Sequence, residues 1–159
     1  MEKDLLQEYT ARISQASRGD LVVIIYELIL HDLKNAREHL ETKEYVEYEK
    51  KLMHASKCVN ELMGILDYQY DLSKQLMSMY IYIGQQIVKG KTTKNSEHFS
   101  IVEYMIESLK IAYEKISMQE SKDPVMQNTQ QIYAGLTYGV GTLNEVSVSN
   151  NEINRGFRV

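Results

Sequence analysis

The stretch Tyr45–Leu66, YVEYEKKLMHASKCVNELMGIL, decides the fold. Its apolar residues Tyr45, Tyr48, Leu52, Ala55, Val59, Leu62 and Leu66 are separated by alternating steps of three and four. A strand would alternate at every second residue, whereas steps of three and four put side chains on one stripe of an α-helix. An unbroken stripe of this kind is the seam of a helix that packs nearly antiparallel against its neighbours.

The flanking segments repeat the pattern. Upstream, Val22, Ile25, Ile29, Leu33, Ala36 and Leu40 form a stripe over about Arg18 to Glu41. Ser17 followed by Asp20 reads as a capping box at its start, with the acidic residue at the positive end of the helix dipole. The short link Thr42–Glu44 makes the two helices an antiparallel hairpin. Downstream, Leu72, Leu76, Tyr80, Ile83 and Ile87 mark a helix over about Leu72 to Lys89, and Gly90 stands where a left-handed cap is wanted. After the polar loop KTTKNS, Asn95 or Ser96 is expected to cap a helix reaching about Met118, with the stripe Val102, Met105, Leu109, Ala112 and Ile116. Asp123-Pro124 opens a shorter helix carrying Val125, Thr129, Ile132, Tyr133 and Leu136.

The expected fold is all-α: an antiparallel four-helix bundle with an additional short C-terminal helix and an extended tail. Residues 1–138 form the bundle domain, with 1–16 as an N-terminal segment laid over it. Residues 139–159, rich in Asn, Ser and Gly, form the tail.

Composition fits one domain. The chain has 159 residues, 43% hydrophobic and 25% charged, with a single Pro to interrupt helices. The net charge of −4 and the lack of a basic block argue against nucleic acid as a partner. No apolar run reaches the roughly 20 residues needed to span a bilayer, and the acidic N-terminus is unlike a signal peptide. The single cysteine, Cys58, makes no internal disulfide and reads as a small apolar residue on a helix face. A cytoplasmic protein is expected.

A search for chemistry finds little. Carboxylate-bridged di-iron bundles need Glu-x-x-His pairs, and none of His31, His39, His54 and His98 follows a Glu at that spacing. Glu27 and His31, four apart on one helix, would form at most an exposed pair. There is no Gly-x-Ser-x-Gly elbow and no Gly-rich phosphate loop. No enzyme, metal or cofactor is expected.

What remains is surplus apolar surface. LVVIIYELIL, Leu21–Leu30, places Leu21, Val23, Ile24, Leu28 and Leu30 around the helix in addition to its stripe. LMSMYIYIG, Leu76–Gly84, is apolar on more than one side. A helix that is apolar all round is covered by something. Two covers are compatible with this surplus: the chain's own ends, or the amphipathic segment of a partner.

The run Ile13–Glu27, ISQASRGDLVVIIYE, resembles the N-terminal signature of the flagellar secretion chaperone family FliS, through Ile13, Ala16, Ser17, Leu21, Tyr26 and Glu27. Leu66-Asp67 followed by Leu76, Met79 and Tyr80 resembles a second motif of the family. The resemblance covers about Tyr9 to Met118. Arg18 replaces a usual Pro, Leu28 replaces a small residue, Gln75 stands near an expected Asn, and both Tyr9 and the second motif are offset by one residue.

The resemblance implies binding of the disordered C-terminal segment of flagellin, prevention of its premature polymerisation, and delivery to flagellar type III secretion. Other flagellar export proteins are further expected partners, and the chain is expected to be a monomer or weak homodimer. The expected partner-binding residues are Tyr9, Ile13, Leu21, Ile24, Tyr26, Leu28, Leu76, Met79, Tyr80 and Ile83. Tyr9 and Ile13 are expected to act as a displaceable lid, and Tyr26 and Tyr80 to lie near the groove. The spaced apolar residues Leu143 to Phe157 of the tail are a second expected occupant of that groove. The alternatives are a dimeric helical adaptor that ignores flagellin and a bundle metalloprotein.

Overall fold

The computed structural model describes residues 2–118, and among them every regular element is a helix. The helices are α1 (Glu2–Ser14), α2 (Arg18–Glu41), α3 (Tyr45–Gly64), α4 (Asp71–Thr93) and α5 (His98–Ser117). Helices α2 to α5 form the expected bundle: α2 packs on α3 and α5, and α4 closes the ring by packing on both. The helix added to the bundle within these residues is the N-terminal α1, which lies on α2. The helix expected after Asp123 and the tail lie outside the described residues.

The ends of α2 obey local chemistry. The Asp20 backbone N–H donates to Ser17 Oγ and the Ser17 N–H donates to Asp20 Oδ2, each at 3.1 Å, completing the capping box. Ser117 at the end of α5 also donates to Asp20, so the same carboxylate ties the last helix to the start of α2. At the other end, Lys43 takes φ 62° to reverse the chain into α3. Near that end Arg37 of α2 donates through Nε and a terminal amine to the two carboxylate oxygens of Glu103 on α5, both at 3.1 Å.

Across the bundle, α2 and α4 are not among the packed neighbours, yet Tyr26 and Tyr80 meet between them, hydroxyl to hydroxyl, at 2.6 Å. Both are buried, and the Tyr113 ring of α5 stands edge-on to Tyr26 at 5.7 Å. Burial pushes the Tyr26 phenol well above its ordinary range and the Tyr80 phenol up to about 12, so both stay neutral.

Two expected boundaries change. Helix α4 runs a turn beyond Lys89, and the left-handed residue after it is Lys94, φ 50°, in place of Gly90. Gly90 is needed for close approach: a Cβ there would lie 2.3 Å from the Phe99 ring, which is fully buried. The Gly90 carbonyl also accepts from Tyr48 at 2.6 Å. Helix α5 begins at His98 with Glu97 at its N-cap position, so neither Asn95 nor Ser96 caps it, and Asn95 Oδ1 instead accepts from the Glu97 N–H, at 2.9 Å, in the turn before it. Among the stripe residues, Tyr45, Leu72, Ala112 and Ile116 are exposed, since each lies near a helix end where the ring of neighbours opens.

Two predictions follow from these contacts. Gly90→Ala would gain about 1 kcal/mol from helix propensity alone, but the clash with Phe99 makes the net effect destabilising by about 1–3 kcal/mol, read as a lower denaturant midpoint. Tyr26→Phe and Tyr80→Phe each leave a buried hydroxyl without its partner and destabilise by about 1–3 kcal/mol. The double variant removes both hydroxyls and costs less than the sum of the singles, measured by a double-mutant cycle on denaturant unfolding.

Candidate functional site

From Gly19 to Leu33 no residue of α2 is exposed. Helices α3 and α5 cover two of its sides, and α1 covers a third. Helix α1 folds back because only residues 15–17 separate it from α2. Its apolar residues Leu5, Tyr9 and Ile13 recur every fourth position and so share one face. Tyr9 is 8% exposed and Ile13 4%, and both join the main apolar core. Burial, and then the neighbouring Glu27 charge, raise the Tyr9 phenol above its ordinary value, so the inserted ring is uncharged.

The outer edge of this contact is polar. Arg12 donates from its two terminal amines to the Glu27 carboxylate at 2.5 and 3.1 Å, and its guanidinium lies 5.5 Å from the Tyr9 ring. Glu27 therefore pairs with Arg12, and Asn35 lies 3.2 Å from the His31 ring. Arg12 and Glu27 keep water contact, so their pairing is worth about 0–1 kcal/mol.

The expected partner-binding residues divide by location. Leu21, Ile24, Tyr26 and Leu28 of α2 are buried, as are Leu76, Tyr80 and Ile83 of α4, and Met79 is half-buried. A partner reaches the α2 set only if a covering helix moves. Leu76 and Tyr80 line a cleft of about 430 Å³ with Val22, Leu66, Tyr113 and Ile116, at the end of the bundle where α2 begins and α5 ends. A second cleft, of about 410 Å³, separates α1 from α2 and α3, with Leu5, Leu6 and Tyr9 facing Leu28, Asp32 and His54.

The apolar surface that is open lies elsewhere. Ile101, Tyr104 and Ile111 are exposed on α5 and stand at helical spacing on one face, with Tyr104 71% exposed. Ile81, Tyr82 and Val88 are exposed on α4. These residues lie off the stripes used to find the core. Ile81 and Tyr82 belong to the apolar run Leu76–Gly84, and Ile101, Tyr104 and Ile111 carry the same signal on α5, apolar residues beyond the stripe of the helix. No helix among the described residues is long and apolar enough to cross a membrane.

Comparison with curated proteins finds no match. The family model described as flagellar protein FliS matches residues 1–120, which takes in all of α1 to α5. That span includes the capping box, the Tyr26–Tyr80 contact and the helix laid over α2, and it leaves out only the segment that follows the last bundle helix. The chain belongs to the FliS family of flagellar proteins, chaperones of flagellar assembly.

Proposed function

We propose that the chain is an export chaperone for flagellin, and that it captures the disordered C-terminal segment of flagellin in the cytoplasm before the filament is built. The observation that carries this reading is the cover over α2. An apolar face of the bundle is closed by a short helix that is part of the same chain.

The size of the forces supports displacement. Helix α1 has 13 residues, and a free helix of that length is marginal in water. Its hold on the bundle includes Tyr9 and Ile13, each contributing about 1.5–3 kcal/mol of apolar burial, the half-buried Leu5 and the water-facing Arg12–Glu27 pair. The conformational entropy lost on ordering the helix opposes that gain. A partner segment with more apolar area than α1 therefore displaces it at little net cost. Release of α1 opens Leu28, and Ile24 one turn away on the same face, to the incoming segment. Tyr9 and Ile13 then act as the lid, and Leu21, Ile24, Tyr26, Leu28, Leu76, Met79, Tyr80 and Ile83 are proposed as the residues that meet the client or support those that do.

The exposed face of α5 extends the path. A filament-forming segment is amphipathic, so it lays its apolar side along such a row and keeps its polar side wet. Covering that side removes the surface by which flagellin polymerises, while the segment stays unfolded enough for export.

The full chain is expected to co-purify with the flagellin C-terminal segment and to bind it at micromolar concentration or below. Lack of binding there, together with a lasting dimer that buries α2 or α4, would favour the adaptor reading. Tyr9→Ala with Ile13→Ala weakens the lid and is expected to tighten binding about tenfold, since about 1.4 kcal/mol of lid stability is tenfold in affinity. Weaker binding by that variant in calorimetry would show that the two side chains contact the client instead of competing with it. Tyr104→Glu on the open face of α5 is expected to weaken binding without lowering the unfolding midpoint.

A further inference from the structure

Beneath α1, three side chains of different chemistry converge. Asp32 of α2 and His54 and Cys58 of α3 each offer a ligand atom, and these atoms lie within 4.8 Å of one another. Asp32 and Cys58 are buried, and His54 is half-buried. His54 Nδ1 and the Asp32 carboxylate are hydrogen-bonded. His54 and Cys58 are one helical turn apart, so they share a face of α3. The cleft between α1 and the bundle reaches both Asp32 and His54, which gives this group a route to solvent.

We propose that Asp32, His54 and Cys58 form a binding site for a thiophilic divalent cation of the zinc type. The donor set is one carboxylate oxygen, one imidazole nitrogen and one sulfur, the ligands that zinc takes. Bond lengths of about 2.0–2.3 Å put tetrahedral ligand atoms about 3.3–3.8 Å apart, so side chains already within 4.8 Å close on the ion by rotamer adjustment. Binding releases the Cys58 thiol proton and any proton shared by His54 and Asp32 to solvent. One thiolate and one carboxylate then balance the two positive charges, leaving a neutral site in a buried setting where net charge is costly. Water from the cleft supplies the fourth ligand. The ion would join α2 to α3 under the helix proposed as the lid, and its binding does not depend on what that lid admits.

The test uses the full chain, reduced and stripped of metal by a chelator. Anaerobic titration with Co²⁺ is expected to give a thiolate-to-cobalt charge-transfer band that saturates at a single equivalent and is abolished by Zn²⁺. Cys58→Ser is expected to remove the band, and Cys58→Ser and His54→Gln to weaken Zn²⁺ binding at least about 100-fold. His98→Asn, whose ring lies beside Gln86, should leave binding unchanged. If the folded wild-type chain gives no charge-transfer band, or binds Zn²⁺ no more tightly than a folded Cys58→Ser or His54→Gln variant, the proposal is overturned and Asp32–His54 is a hydrogen-bonded pair alone. The wild-type titration and His54→Gln decide the matter even if Cys58→Ser fails to fold.

Discussion

The need to cover α2 on every side sets the terms for the rest of the molecule. Between Gly19 and Leu33 this helix presents no exposed residue. In an ordinary four-helix bundle each helix meets its neighbours on one face and water on the other. Here α3 and α5 supply the usual contacts, and the chain adds α1 to close a side that water would otherwise meet. The capping box at Ser17 and Asp20 fixes where α2 starts, and so fixes how tightly α1 must turn to reach it. The Tyr26–Tyr80 contact holds α2 across the bundle to α4, with Tyr113 against it, so the centre stays in place whichever side is covered.

This arrangement sets an interlocked interior apart from the helix laid over it. Phe99 against Gly90, Tyr48 on the Gly90 carbonyl and the paired tyrosines interlock α2 to α5 through contacts without slack. Helix α1 shares none of these. It is held by the inserted Tyr9 and Ile13, by the half-buried Leu5 and by contacts that include the water-facing Arg12–Glu27 pair. In the proposed reading, an incoming amphipathic segment replaces the contacts of α1 and continues onto the open residues of α5.

Much of this was legible in the order of residues. Steps of three and four located all four bundle helices, and Ser17 with Asp20 marked the start of α2 to the residue. The apolar excess of Leu21–Leu30 announced that α2 needs covering on more than one face, but composition could not say which element provides the cover. Gly90 was misread because a glycine near a helix end suits a left-handed cap and a tight crossing equally well, and only Phe99 packed against it tells them apart. The pairing of Glu27 with Arg12 was hidden for a related reason: the partner comes from a helix folded over it, which spacing along one helix does not show. Asp32, His54 and Cys58 likewise meet only because α2 and α3 are antiparallel, so no local motif announces them.

The exchange of α1 for a client is measured most directly by hydrogen exchange on the full chain, with and without the C-terminal segment of flagellin. The account predicts that amides of α1 lose protection when the segment binds, while those of α2 around Tyr26 keep theirs and those of α5 around Tyr104 gain it. Binding that leaves α1 fully protected, with no change along α5, would contradict it.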